Sequence, residues 1–362
     1  MMIPLLLAVA LSATQTADTA SPFDASRWNI LDRDARAMSY LGRPALFLDN
    51  GLALLRDSSL ADGTIEFDIA LHGHASFAGV AFRAASDQDY ELIYLRPHRS
   101  RQWDALQYTP IFGGSEAWQL YSGEGYTAAA ELPLNRWVHV RLVVSGFTAG
   151  LYVDNAAEPQ LVVADLKRPW ARGEIGLWGR FGGAHFSNVV VTPATATPPE
   201  RATGAPPIDG LLLDWELSPA WETARVPPDA LPAADTKWTA VRAEGTGMLN
   251  IAQYRRSVRT AESAAQRSRD LVFARYVVTA RAAGRVRLTF AYSDGVHIFV
   301  NGKLLFAGES AFRSRDPGFL GIAALGRDAI YLDLAAGRNE LVFAVSENFG
   351  GWGLAARIER RP

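Results

Sequence analysis

Period-two alternation in short runs, punctuated by Gly, Pro, Asn or Asp, is the feature that most restricts this chain. TIEFDIAL places Ile65, Phe67, Ile69 and Leu71 on one face and Glu66 and Asp68 on the other, as a half-buried strand requires. The same pattern returns at Phe77 to Arg83, Tyr90 to Arg96, Trp137 to Val144, Gly150 to Asp154, Gly173 to Gly179 and Ala184 to Val191. Beyond residue 270 it recurs in LVFARYVVTA, RVRLTFAYSD, HIFVNGKLLFAG, AIYLDLAAG, NELVFAVSE and GLAARIE. Asn301-Gly302 between two apolar runs predicts a tight hairpin. No long 3.6-residue periodicity competes, and only Arg255 to Arg269 reads as a loop or short helix. The fold class is therefore all-β, built from sandwiches or jelly rolls.

The alternation stops at TPATATPPERATGAPP, where Pro, Thr and Ala take over, and this predicts a stiff linker over 193–207. It divides a first sandwich over 21–192 from a second over 208–362, and no repeat relates the two. The opening residues 1–20 carry an apolar run from Ile3 to Leu11 followed by small residues, which reads as a signal peptide and implies export to a periplasmic or extracellular space. That run is too short to span a bilayer, and no later segment is longer.

Composition excludes several classes. A formal net charge of -2 is unsuited to coating nucleic acid, and the absence of Cys removes disulfide frameworks, thiol nucleophiles and cysteine-ligated metals. The chain has no G-x-S-x-G, H-E-x-x-H, P-loop or G-x-G-x-x-G after a strand, so serine-hydrolase, zincin and nucleotide chemistry lack their motifs.

The phrases FAGVAFR, WVHVRLVVSG followed by LYVDN, and GEIGLWGRFGGAHFSN resemble the concanavalin A-like lectin/glucanase superfamily, nearest to its laminin-G-like and 3-keto-disaccharide hydrolase domains, over about residues 40 to 192. The second half, through YSDGVHIFVNGKLLFAG and LAAGRNELVFAV, resembles galactose-binding-like sandwiches attached to secreted glycoside hydrolases, with Phe349 to Gly353 in the turn before the last strand. The resemblance implies a concanavalin A-like jelly roll followed by a galactose-binding-like sandwich. Glucanases of the superfamily set their acids as E-x-D-x-x-E; here Glu66 and Asp68 are followed by Leu71, and alternation alone makes both acids solvent-facing strand residues.

Tyr94 to Tyr126 is the most informative stretch, long for a hairpin connection and rich in aromatic and planar polar groups. Tyr94 and Arg96 share a strand face with Tyr90 and Leu92. Aromatic faces stack on the C–H faces of sugars, and guanidinium and amide groups pair with vicinal hydroxyls. Tyr94, Arg96, His98, Arg101, Trp103, Gln107, Tyr108, Trp118 and Tyr121 are accordingly the expected ligand-binding residues. Were the protein an enzyme, His98, Asp104, Glu116, Glu124 and Glu91 are its candidate acids and bases.

No cofactor is expected. His72 and His74 lack a third ligand, His139, His185 and His297 stand singly, and Asp87, Asp89 and Glu91 offer only a weak calcium reading. The function that follows is glycan binding by an exported lectin-like protein. Its rivals are a glycoside hydrolase of the 3-keto-disaccharide type and an adhesion module facing a protein partner, the last calling for an exposed apolar patch in place of a cleft. Trp118→Ala and Arg96→Ala are expected to weaken binding with little change in thermal midpoint.

Overall fold

A computed structural model describes residues 23–73, 75–194 and 208–359. The signal peptide expected over 1–20, almost all of the linker expected over 193–207, and His74 lie outside the described residues.

The all-β expectation holds, with two sandwiches in series. In the first, one seven-stranded antiparallel sheet runs in the order Trp28–Ile30, Gly51–Leu60, Gly173–Arg180, Phe77–Ser86, Asp89–Leu95, Leu106–Ile111 and Thr127–Ala128. The other runs Leu161–Val163, Thr148–Val153, Trp137–Ser145, Gly63–Leu71, Ala184–Pro193, Arg43–Leu48 and Arg36–Tyr40. Alternate residues of both sheets, among them Phe67, Ile69, Val80, Phe82, Ile93, Leu95, Val140, Leu142, Leu177 and Phe186, meet in one buried core.

The first of these sheets is apolar on its other face as well. Leu52, Leu54, Ala81, Tyr90, Leu92, Tyr94, Ile111 and Trp178 form a second buried cluster there. A sheet face this apolar needs a cover. The segment after Ile111 and the second sandwich lie on its Tyr94 and Trp178 end, which is how the fold creates a cleft.

The second sandwich sets the sheet Thr239–Arg242, Asp214–Leu217, Asp270–Ala280, Gly337–Glu347, Gly295–Val300 and Lys303–Glu309, with Trp221–Glu222 paired beside Asp270–Ala280, against the sheet Leu249–Asn250, Gly353–Glu359, Gly284–Ser293 and Asp328–Leu334. Asn301 and Gly302 form the expected two-residue hairpin turn, at φ 47° and 83°, a pair that Asn-Gly adopts readily. Arg255 to Arg269 contains only the five-residue helix Ala261–Ala265, closed by a capping box between Thr260 and Ser263.

The two sandwiches pack on each other. Ala117, Leu120 and Tyr121 of the first join Met248, Ala291 and Ala355 of the second in a shared apolar cluster. Lys167 Nζ donates to Glu244 Oε2 at 2.6 Å, Tyr121 Oη donates to Glu244 Oε1, and Arg256 donates twice to Asp89 at 3.1 and 3.0 Å.

Candidate functional site

A cavity of about 430 Å³ opens between the sandwiches over the apolar face of the first sheet. That lies in the roughly 300–1,000 Å³ range of small-molecule sites. Strand alternation builds its floor: Tyr94 and Trp178 flank Gly79 of the strand Phe77–Ser86 from either side, with ring centroids 5.4 Å apart, and Phe77 meets Tyr94 edge-on at 5.8 Å. Glu116 and Trp118, on the segment after Leu106–Ile111, form one wall. Phe312, Arg313, Leu320 and Phe349 of the second sandwich form the opposite one. Trp118 bridges the walls, edge-on to Phe312 at 6.2 Å and to Phe349 at 6.0 Å.

Arg96 ends the strand Asp89–Leu95, and Pro97 turns the chain into a 3₁₀ turn, Pro97–Arg99, that carries His98 and Arg99. The Arg96 guanidinium is fixed: Nη1 donates to Asp104 Oδ2 at 2.8 Å, and Nη2 donates to Tyr94 Oη at 2.9 Å and Gln107 Oε1 at 3.2 Å. It also lies over the rings of Tyr94 and Trp118, at 5.3 and 5.7 Å. Arg99 Nε donates to the other oxygen of Asp104 at 2.8 Å. Arg180 pairs with Glu116. Burial pushes the Glu116 carboxyl above its usual range, although Arg180 and Arg96 pull against this. Partial desolvation and the Arg96 charge hold the His98 imidazole below its ordinary value, opposed by its hydrogen bond to the Ser76 backbone.

The cleft thus gathers Tyr94, Arg96, His98, Asp104, Glu116 and Trp118 from the sequence candidates, and the other candidates lie elsewhere. Tyr94 to Tyr126 is not one long loop, because Leu106–Ile111 pairs with Asp89–Leu95 through the register Tyr90↔Ile111 to Leu95↔Leu106. This strand turns Tyr108 into the core, where its hydroxyl donates to Glu91 Oε2 at 2.6 Å. Gln107 is buried, its amide donating to the carbonyls of Tyr108 and Tyr121. Tyr121 faces the sandwich interface. Arg101 pairs with Glu131 on the surface, and Trp103, 44% exposed, does not line the cleft.

The candidate acids divide in the same way. Glu91 is fully buried beneath the sheet, its carboxyl raised by burial despite Tyr108 and the Arg168 N–H, and no solute reaches it. Glu124 is exposed away from the cleft. Asp89 is taken by Arg168, Arg256 and the Gly113 N–H, so with Glu91 sequestered the Asp87, Asp89 and Glu91 turn does not converge on a common point. Among the described residues no group of three or more His, Asp or Glu stands ready to hold a metal ion.

Two further expectations are corrected. Asp68 is not solvent-facing but buried, accepting from Arg43, from Asn188 at 2.6 Å and from His139 at 2.9 Å. His139 keeps its outward place on the alternating strand and is tied there by Asp68 and Glu66. His185 is not single, since its Nδ1 lies 3.1 Å from His72 Nε2 and its ring stacks on Tyr40 at 3.7 Å.

Phe77, Arg99, Trp178, Arg180, Phe181 and the four residues from the second sandwich were not anticipated. Trp178 was findable, because it occupies the non-core phase of an alternating strand, where a large aromatic has no reason to be unless something covers it.

No family model matches the chain, and no curated protein matches it. Among solved structures, it is similar to the carbohydrate-binding module CBM66 from Bacillus subtilis, at 17% identity and a TM-score of 0.35 over 45% of this chain and 94% of that one. It is also similar to a glycosyl hydrolase-like protein from Parabacteroides distasonis (12%, 0.34, 47% and 94%) and to the galectin LEC-6 from Caenorhabditis elegans (12%, 0.28, 47% and 98%). Likenesses this distant leave the functional argument to the cleft itself. Among the described residues no helix is long and apolar enough to cross a membrane.

Proposed function

We propose that the cleft between the two sandwiches binds a saccharide, and that the protein is an exported lectin-like binder. The observation that carries this is the pairing of aromatic faces with immobilised guanidinium groups: Trp118, Phe349, Phe77 and Trp178 beside Arg96 and Arg99. Sugar rings present apolar C–H faces to aromatic planes and hydroxyl edges to planar donors, and this lining offers both. Arg96, tied to Asp104, Tyr94 and Gln107, fixes the Asp104 carboxylate that holds Arg99 by its Nε, so little ordering entropy is lost when a ligand meets the rest of the Arg99 guanidinium. The apolar run Ile3 to Leu11 supports export, which would bring the cleft to extracellular or periplasmic glycans.

A hydrolase in the same cleft is the second reading, with Glu116, a carboxyl that burial raises and that lines the cavity, as its candidate acid. Its weakness is the partner. Glycosidases use two carboxyl groups flanking the scissile bond. The other carboxylate here, Asp104, is 2% exposed and engaged by two arginines.

The test is a panel of oligosaccharides titrated against the purified protein, with binding and product release followed in the same samples. Binding without product supports the lectin-like reading. Product that disappears in Glu116→Gln transfers the site to the hydrolase reading, and silence across the panel removes both in favour of a protein-facing role.

A further inference from the structure

The charge on the cleft walls bears on the kind of saccharide. Four guanidinium groups line the cavity, Arg96, Arg99, Arg180 and Arg313, against two carboxylates, Asp104 and Glu116. Glu116 is matched by Arg180. Asp104 serves both Arg96 and Arg99, one oxygen each at 2.8 Å. One carboxylate for two cations leaves a positive charge over at the Arg96 and Arg99 pair. Arg96 is buried and its Nη groups are committed to protein acceptors, whereas Arg99 has a side chain 36% exposed and only its Nε engaged.

Arg313 is the second uncompensated cation. Among the described residues no carboxylate lies within ion-pair distance of it, and its guanidinium rests over the Phe312 ring at 4.9 Å from the centroid. Arg99 comes from the first sandwich and Arg313 from the second, so the excess charge is carried on both walls. A ligand with hydroxyls alone would leave both cations of the cleft lining without an anion. An anionic group there gains from each, and the gain is larger than in bulk water because the cleft walls lower the effective dielectric.

We propose that the cleft selects a saccharide bearing a carboxylate or sulfate group, with the anion received by Arg99 and Arg313 and the ring lying on Trp118 and Phe349. This rests on the saccharide reading and narrows it to acidic glycans. Guanidinium suits both anions through paired N–H donors, so the shared chemistry is an oxyanion on a sugar ring.

The experiment is calorimetric titration of the full chain with trigalacturonate, with its carboxyl-reduced neutral trimer, and with a sulfated disaccharide. The expected result is that at least one acidic ligand binds about tenfold or more tightly than the neutral trimer, a difference of about 1.4 kcal/mol, and that the advantage shrinks as salt is raised. Arg99→Gln and Arg313→Gln should each bring the ratio of acidic to neutral affinity towards one. Both side chains are substantially exposed, and unchanged thermal midpoints would verify folding. Whether trigalacturonate or the sulfated ligand is preferred identifies the anion. Equal affinity for acidic and neutral ligands, or a ratio untouched by both substitutions, overturns the acidic selectivity and leaves the saccharide reading intact. Failure of every ligand to bind overturns both together.

Discussion

Ser293 Oγ, at the end of a strand in the second sandwich, donates to Gln119 Oε1 of the first at 2.9 Å, across 174 residues of chain. The same Gln119 amide donates to the Leu320 carbonyl at 2.9 Å, while its backbone N–H donates to Gly350 and its carbonyl accepts from Ala323. Gly321 and Gly350 both adopt positive φ against this side chain, and a Cβ at either would lie 2.3 Å from the amide. Trp118 precedes Gln119, and Phe349 precedes Gly350. The clamp on Gln119 therefore sets the distance between the two walls of the cleft.

Gln119→Ala should lower stability by roughly 1–3 kcal/mol, because the Ser293 hydroxyl and Leu320 carbonyl lose their partner in a buried place. Ligand affinity should fall as well, since Trp118 and Phe349 lose their spacing. Denaturant unfolding and titration of the same preparation read the two effects, and a loss of stability with unaltered affinity would show that the walls hold without the clamp.

Lys167 predicts a second strong coupling. Its side chain is 2% exposed, and Nζ donates to Asp165 Oδ2 and Glu244 Oε2, both at 2.6 Å. Burial alone would depress the ammonium, but Glu244, Tyr126 and Asp165 more than offset it and hold it above its ordinary value. Lys167→Met should cost about 2–4 kcal/mol by stranding Glu244 at the interface. Glu244→Gln in the same chain should restore part of that, and a double-mutant cycle showing additive losses would mean the pair is not coupled.

The His72 and His185 contact predicts a pH dependence. Burial, His72 and Arg36 lower His185 to about 4. Taking about 6.5 for the unfolded chain, between these values the unfolded state binds a proton that the native state does not. This contribution is fully present above about 6.5 and falls away as pH drops towards 4, by roughly 3 kcal/mol in total. Buried carboxyls such as Glu347, held well above their usual range, contribute with the opposite sign, so the comparison must be with His185→Gln. Over pH 4 to 7 the variant should show a shallower rise of unfolding free energy with pH than the parent, and parallel curves would sink the assignment.

Strands with clean alternation were legible because one face is buried and the other wet. WVHVRLVV and NELVFAVSE match Trp137–Ser145 and Gly337–Glu347 closely. Leu106–Ile111 was missed because LQYTPI puts Gln107, Thr109 and Pro110 in a sheet whose faces are both covered, so polarity no longer reports exposure. The site was half legible for the same reason. Tyr94, Arg96, His98 and Trp118 lie in one sequence window, but the opposite wall comes from residues 312 to 349, and no local pattern says which two surfaces of a chain will meet.

The structure also changes what the obvious variants should do. Arg96→Ala leaves Asp104, 2% exposed, with only Arg99, and removes the donor to Tyr94 Oη and Gln107 Oε1, so a loss of about 3 kcal/mol is expected where the sequence suggested little change. Trp118, 8% exposed and packed on both sandwiches, should likewise cost about 2–4 kcal/mol when cut to Ala. Neither variant then isolates binding from folding. Phe349→Ala does: its ring is 40% exposed on the cleft wall, so little burial is lost, while the stacking surface offered to a ligand disappears. Affinity should fall about tenfold, which is about 1.4 kcal/mol, with the thermal midpoint within a few degrees of the parent. A Phe349→Ala protein that binds its saccharide as the parent does would place the stacking platform somewhere other than this wall.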